Sequence, residues 1–177
     1  MPHPRWQIGR TLIELMVVLT LCAILLVLAA PSFQALVDRM RIDTTTRELL
    51  AALALTRASA IARSERVDLM PLNRRDWTSG WIIFIDTNQN HQYDPGEKIL
   101  YSHAAVAPRI TIKSAMHDNA MPYVAYMASG RTRINANGQV PQVGHIELRL
   151  GTQRRRVVLN FIGRARSCNP DADNYCG

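Results

Sequence analysis

The residues near the C-terminus that could do chemistry are arginines. Arg154, Arg155 and Arg156 are consecutive, and Arg164 and Arg166 follow in the segment FIGRARSC. A guanidinium is a permanently charged planar fork, and its N–H donors match two oxygens of a phosphate or a carboxylate. The pattern therefore indicates a surface that binds phosphate groups. Two other interpretations stay open: a solvated basic face, and a salt-bridged contact with a neighbouring protein.

The net charge of +7 is concentrated in this part of the chain. Residues 10–108 contain ten basic and ten acidic residues, whereas residues 109–166 contain ten basic residues and two acidic ones. Nine of those ten basic residues are arginines. No helix is predicted there that could enter a DNA groove, so we expect contacts to phosphates with little sequence preference. A concentration of positive charge is typical of a surface that binds a polyanion, so double-stranded DNA is a candidate partner.

Two cysteines close to this segment could form a disulfide. Cys168 and Cys176 flank the polar stretch NPDADNY. An exported domain folds in an oxidising compartment, where a close pair of cysteines is typically bonded. The alternative is two free thiols. Cys22 lies in an apolar run, where we expect it to behave as a small hydrophobic side chain.

Signs of catalysis are missing from the sequence. It has no Gly-x-Ser-x-Gly segment, no paired-histidine zinc motif and no phosphate-binding loop, so we expect no enzymatic activity and no cofactor. Five side chains do have the ligand spacing of a calcium loop: Asp86, Asn88, Asn90, Asp94 and Glu97. However, His91 stands where such a loop has glycine, and the flanking segments are typical of strands. We favour a turn capped by its own side chains and assign no metal.

The elements that must position these residues begin with an apolar run near the N-terminus. From Leu12 to Ala30 the polar exceptions are Glu14 and Thr20. A helix of roughly 20 such residues spans the hydrocarbon core of a bilayer. A carboxylate inside that core costs about 3 kcal/mol on insertion scales, so Glu14 should have a partner outside the run. A secretory signal and a plain membrane anchor are alternatives, and neither explains Glu14.

The stretch GRTLIELMVV resembles the class III signal of type IV pilins and type II secretion pseudopilins. The resemblance implies that a prepilin peptidase cuts after Gly9 and that the new amino group of Arg10 is methylated. It also implies that Glu14 neutralises the terminal ammonium of a neighbouring subunit in a filament. The chain departs from the family pattern at two positions, because Ile8 replaces a basic residue and Arg10 replaces phenylalanine.

Four segments follow from this resemblance. They are a leader (1–9), a transmembrane and filament-core helix (10–33), an amphipathic second half of the helix (34–66) and a β-rich head with the basic segment and the disulfide loop (67–177). The implied location is the bacterial inner membrane, crossed once, with the head in the periplasm or, after pilus assembly, outside the cell.

Hydrophobic periodicity predicts an α+β fold. Helical spacing continues to about Arg63, with Leu36, Met40, Leu53 and Ile61 among the apolar positions that should face a sheet. Seven alternating or apolar runs then predict antiparallel strands: RVDLM, GWIIFID, KILYSH, RITIKSA, YVAYMA, HIELRL and RRRVVLNFI. In the last strand Val157, Leu159 and Phe161 should point inward and Arg154 and Arg156 outward, with Arg164 and Arg166 in a loop after Gly163.

The head narrows the resemblance to the GspH/FimT group, on the segments GWIIFIDTNQNHQYDPGE, ANGQV and FIGRARSC, and it is most like FimT. GRAR matches a Gly-Arg-x-Arg motif of FimT-type minor pilins, which implies DNA binding in natural transformation. The implied function is a non-catalytic subunit at or near the tip of a type IV pilus, whose partners are the peptidase, other pilins and DNA. The alternative is a GspH-like minor pseudopilin that primes pseudopilus assembly for type II secretion without binding DNA.

Overall fold

The structure is a computed structural model that describes residues 11–135 and 137–176. The chain divides into two compact units between Val37 and Asp38, and each is described by itself. Gly9 and Arg10, the predicted processing site, lie outside the described residues, so cleavage and methylation stay predictions.

A single long helix, α1, runs from Leu12 to Arg63, which confirms the predicted end of the helix. In the first unit its side chains from Leu12 to Val27 are exposed. By length and composition this part of α1 is apolar enough to cross a membrane. The helix ends where Ser64 adopts a left-handed φ of 56° and the amide of Glu65 donates to the carbonyl of Ala60.

In the second unit α1 buries one face against strands. Its fully or nearly buried apolar residues are Ile42, Leu49, Ala52, Leu53 and Ala60. Three threonines of α1 are also buried, Thr45, Thr46 and Thr56, and the hydroxyls of the last two donate to carbonyls one turn earlier. Thr46 bonds Ile42 O at 2.6 Å and Thr56 bonds Ala52 O at 2.7 Å. A buried threonine that bonds its own helix leaves no unsatisfied polar group, so it can lie in an apolar face.

The predicted apolar stripe is therefore only partly right. Leu53 is buried as expected, but Leu36, Met40 and Ile61 are exposed. The prediction was wrong at these positions because it followed hydrophobic side chains alone and left out the threonines that the core accepts.

In the described part of the chain, eight antiparallel strands form two four-stranded sheets, which confirms the α+β fold. The first sheet has the order β3-β2-β1-β5 and consists of β1 (Val67–Pro71), β2 (Trp81–Ile85), β3 (Ile99–His103) and β5 (Val124–Tyr126). The second has the order β4-β6-β7-β8 and consists of β4 (Thr111–Met116), β6 (Gly144–Leu150), β7 (Gln153–Leu159) and β8 (Ala165–Cys168). A short 3-10 helix, Trp77–Ser79, precedes β2.

All seven predicted strands are present, and β8 is the one that the sequence analysis missed. Its sequence, ARSC, is too short to show the alternating pattern of a strand. It forms because a tight turn after β7 brings Ala165 opposite Leu159 and Arg166 opposite Val158. Arg166 therefore lies in a strand, not in the loop that we expected.

The larger of the two hydrophobic clusters of the described residues joins α1 to both sheets. Leu49 and Leu53 belong to the same buried cluster as Ile83 of the first sheet and Leu148 and Val157 of the second. Because side chains alternate along a strand, the opposite face of the second sheet carries the residues between these apolar ones. That outer face is where most of the predicted arginines lie.

Candidate functional site

The outer face of the second sheet is organised around one carboxylate, Glu147 on β6. Arg156 is its direct cross-strand neighbour, with Nε 2.7 Å from Oε2. Arg154 Nη2 lies 3.2 Å from the same oxygen, and Arg149 donates to Oε1. The Glu147 side chain is only 9% exposed. Two of the predicted phosphate-binding arginines, Arg154 and Arg156, are therefore on the expected face but already bound to an anion.

This cluster changes the acidity of Glu147. Burial alone would raise the pKa of the carboxyl, but hydrogen bonds from Arg156, Arg149 and Arg154 outweigh it and lower the pKa to about 2. The carboxylate is therefore ionised throughout the physiological range and holds the three guanidinium groups in place.

Arg155 has a different role from its neighbours. Strand alternation turns it to the inner face, where its Nε donates to Asp43 Oδ1 of α1 at 2.7 Å. Its side chain is 14% exposed. The ion pair attaches the helix to the second sheet, and the residue is poorly placed to meet a partner in solvent.

Arg166 is held by the C-terminal loop. The predicted disulfide between Cys168 and Cys176 is confirmed, with Cα atoms 5.7 Å apart. Within the loop that it closes, the carbonyl of Tyr175 accepts from Arg166, and Asp173 Oδ2 lies 3.5 Å from Arg166 Nη1. The Arg166 side chain is still 51% exposed.

A second carboxylate of the disulfide loop binds Arg154. Arg154 Nη1 donates to Asp171 Oδ1 of this loop at 2.8 Å. The loop therefore adds two negative charges, Asp171 and Asp173, next to the basic segment and partly neutralises it.

Arg164 stands apart from the other four arginines. It closes the turn between β7 and β8, where Asn160 N donates to Arg164 O at 3.1 Å and Asn160 Oδ1 accepts from Arg164 N at 2.9 Å. Gly163 supplies the left-handed φ of 78° that this turn needs. Arg164 is exposed, and its guanidinium has no hydrogen bond or ion pair among the residues that the structure describes.

The same turn corrects the prediction for Phe161. Val157 and Leu159 are buried as expected, but Phe161 is 66% exposed. The alternation stops because β7 ends at Leu159, so Phe161 belongs to the turn and not to the inward face of a strand.

The five predicted arginines thus do not form one free surface. The residues that the sequence analysis missed are the carboxylates that bind them, namely Glu147, Asp43, Asp171 and Asp173. A signal was available for Glu147, because pairing HIELRL with RRRVVL as a hairpin sets it opposite Arg156. The contact with Asp43, which is 112 residues away, has no signal of that kind.

The calcium-like loop uses its side chains on itself. The Asp86 carboxylate accepts from the backbone amides of Asn90 and His91 at 3.2 and 2.9 Å. Asp94 Oδ2 accepts from the side-chain Nδ2 of Asn88 at 2.8 Å. A guanidinium nitrogen of Arg66 lies 3.2 Å from Asp86 Oδ2. Within the described residues, no group of three or more His, Cys, Asp or Glu side chains is placed to hold a metal ion.

Glu14 is exposed in the first turn of α1. Its amide donates to Thr11 Oγ1 at 3.3 Å, and its carboxylate has no partner among the described residues. A partner on a second chain therefore stays a prediction.

With this geometry in hand, comparison with known proteins identifies the family. Residues 45–163 match the family described as Type II transport protein GspH. The chain belongs to the GspH family. It is also 30% identical over 158 residues to the pilin-like protein PilA1 of Thermus thermophilus, covering 89% of this chain and 96% of that protein. This GspH-family chain is a minor pilin or pseudopilin, and its apolar N-terminal helix makes it membrane-anchored.

Two solved structures share the fold of this GspH-family chain. The type IV minor pilin FimU of Pseudomonas aeruginosa is 17% identical, with a TM-score of 0.58 over 79% of this chain and 98% of FimU. The minor pseudopilin EpsH of the Vibrio cholerae type 2 secretion system is 14% identical, with a TM-score of 0.50 over 73% of this chain and 98% of EpsH. At these identities the likeness establishes the fold alone.

The Glu147 cluster predicts a pH-dependent stability. The pKa of Glu147 in the fold is about 2, against an ordinary 4.5, so its contribution is present above 4.5 and is lost as the pH falls through 2. Glu147→Gln should lower the free energy of unfolding by roughly 1–3 kcal/mol at neutral pH, and the difference from wild type should shrink toward pH 2. Urea unfolding followed by the buried Trp77 and Trp81 measures both effects.

The matched control is Glu65→Gln, since Glu65 is exposed and its carboxylate has no partner within the described part of the chain. A stability difference for Glu147→Gln that does not change with pH would contradict the ion-pair explanation.

Proposed function

We propose that this GspH-family protein is a minor pilin assembled at or near the tip of a type IV pilus, and that its C-terminal segment binds double-stranded DNA during uptake. The single observation that carries the DNA proposal is the accessible guanidinium of Arg164. It is an exposed, unpaired guanidinium within the described residues, on a rigid turn in the most basic part of the chain. Arg166 on β8 is the second contact, because half of its side chain is accessible.

We assign no direct DNA contact to Arg154, Arg155 and Arg156. Their carboxylate partners would have to be given up before they could bind phosphate, and breaking a largely buried ion pair is costly. We therefore assign them to holding the outer face of the sheet and the helix contact, and we assign phosphate binding to Arg164 and Arg166.

Such a site should bind DNA weakly and with little sequence preference. Two short strands and a turn present guanidinium groups but no helix that could enter the major groove, so contacts go to the phosphate backbone. Phosphate contacts give affinity through counterion release, which makes binding strongly dependent on salt.

The first prediction concerns processing. If a prepilin peptidase cuts after Gly9, the mature chain begins at an N-methylated Arg10, and the intact mass of the protein purified from membranes will show it. A terminus just after the apolar run, near Pro31, would instead identify a cleaved secretory signal and contradict the pilin proposal.

Assembly makes a second prediction. Glu14→Ala should insert into the membrane at least as well as wild type, because it removes a charge from the apolar segment. It should nevertheless fail to enter filaments, since the neighbouring ammonium loses its countercharge. Membrane fractionation and immunoblotting of sheared pili measure the two steps separately, and normal incorporation of Glu14→Ala would contradict the proposed role.

DNA binding makes a third prediction. The mature chain in nonionic detergent should bind a labelled duplex with a slope of log affinity against log salt of roughly −2 to −3, about 0.9 for each neutralised phosphate. Replacing both Arg164 and Arg166 by alanine should weaken binding of every duplex alike and flatten the slope by up to about 2. Fluorescence anisotropy over a salt series measures both quantities.

Two controls belong to this experiment. Arg74→Ala with Arg75→Ala removes the same charge from the electrically neutral half of the chain and should leave the slope nearly unchanged. Arg155→Ala breaks the Asp43 contact and should destabilise the fold by roughly 1–2 kcal/mol with little effect on the slope. Equal losses from the two double variants would mean diffuse charge attraction only.

The second candidate is a minor pseudopilin that primes a type II secretion pseudopilus. Two findings favour it: the matched family carries the description of a type II transport protein, and EpsH shares the fold. In this alternative the basic face contacts a neighbouring pseudopilin and DNA is not bound even at low salt. The genes beside this one would also separate the two, because a secretion operon supports the pseudopilin and minor-pilin genes support the pilus.

A further inference from the structure

We infer that Arg131, which is far from the GRAR segment in sequence, is a further DNA-contacting residue that acts together with Arg164. This inference rests on the proposed DNA-binding function and extends its site to the connection between β5 and β6. Its basis is the packing of two glycines against each other.

The β7–β8 turn lies directly on the loop that carries Arg131. A Cβ placed on Gly163 would be 2.6 Å from Gly130 O and 3.3 Å from the Cα of Arg131. The two backbones thus approach more closely than any other residue type at position 163 would allow. Since Arg164 follows Gly163 directly, the two arginines start from adjacent points of the surface.

Both backbones are firmly held where they meet. Gly130 has a φ of 71°, and its amide donates to Met127 O at 2.8 Å. Across the loop, the amide of Met127 donates to Arg131 O at 3.0 Å. On the other side, the Tyr126 hydroxyl donates to Gly163 O at 2.9 Å. The spacing between the two arginines is therefore a fixed property of the fold.

Arg131, like Arg164, is available to bind a partner in solvent. It is exposed, and no hydrogen bond or ion pair of its guanidinium occurs among the described residues. This sets both residues apart from Arg149, Arg154 and Arg156, which share Glu147.

A third cation stands next to the pair. Arg57 of α1 donates from Nη2 to the carbonyl of Ile162 at 3.4 Å, and its Nε would lie 3.2 Å from a Cβ on Gly130. Arg57 and Arg164 line one cleft of about 330 Å³, whose lining contains no acidic residue. Three arginines from separate parts of the chain therefore meet around the two glycines.

Gathering like charges without a counterion is unfavourable, and a polyanion relieves the repulsion. The outer face of the sheet relieves it internally through Glu147, whereas Arg131 and Arg164 have no carboxylate partner among the described residues. A DNA backbone supplies closely spaced phosphates that could meet Arg131 and Arg164 together. The ligand that fits is a polyanionic strand, not a single acidic side chain.

The test compares single variants of the mature full-length chain in nonionic detergent, with a fluorescein-labelled duplex and a salt series. Arg131→Ala should weaken binding about 3- to 10-fold and flatten the salt slope by about 0.9, the contribution of one phosphate. Arg131→Lys should keep the slope, and Arg131→Ala with Arg164→Ala should flatten it by about twice as much as either alone. Arg75→Ala is the control, as an exposed arginine with no side-chain partner in the described part of the molecule.

The outcomes separate this inference from the proposal on which it rests. If Arg131→Ala behaves like Arg75→Ala while the Arg164 and Arg166 variants lose binding, the inference is overturned and the proposed function stands. If the wild-type chain binds no DNA at low salt, the proposed function fails. If Arg131→Ala keeps DNA binding but no longer enters filaments, the arginines around the glycines serve a neighbouring subunit and the inference is again overturned. Unchanged urea midpoints, followed by Trp77 and Trp81, exclude unfolding as the cause of any loss.

Discussion

Burial of one face of α1 against both sheets is the contact on which the second unit depends. One face of each sheet packs against this helix, and Leu49 and Leu53 lie in the buried cluster that the helix shares with both sheets. Burying a leucine side chain stabilises a fold by roughly 1.5–3 kcal/mol, and this face contains several large side chains. The turn that carries Arg164 is attached to this helix through the hydrogen bond from Arg57 to Ile162 O.

Polar contacts along the edges of the helix fix its rotation and register. Asp43 binds Arg155 of β7, Glu48 lies 3.4 Å from His103 of β3, and Arg57 donates to Ile162 in the β7–β8 turn. Hydrophobic burial is non-directional, whereas these contacts have definite partners. Together they connect the helix to β3 of the first sheet, to β7 of the second sheet and to the β7–β8 turn.

Charge neutralisation then decides which arginines are available to a partner. The basic third of the chain contains few carboxylates, yet Glu147 alone serves three guanidinium groups because sheet pairing surrounds it with them. The disulfide loop contributes Asp171 and Asp173 to two more contacts. Arg131 and Arg164, which adjoin Gly130 and Gly163, have no such carboxylate among the described residues.

By itself the sequence determined the elements that depend on local pattern. Alternation predicted seven strands, and helical spacing predicted the end of α1. The spacing of two cysteines predicted the Cys168–Cys176 disulfide, and the run around Glu14 predicted the pilin-like family. Each of these signals is a short-range pattern of the sequence. The tertiary structure alone decided that Thr46 and Thr56 lie in the core and that ARSC forms a strand. It also decided that Arg155 is paired while the guanidinium of Arg164 has no partner within the described residues, and that Arg131 adjoins Arg164. These outcomes depend on contacts between residues far apart in sequence, and whether a charge is exposed or neutralised is a property of its neighbours in space.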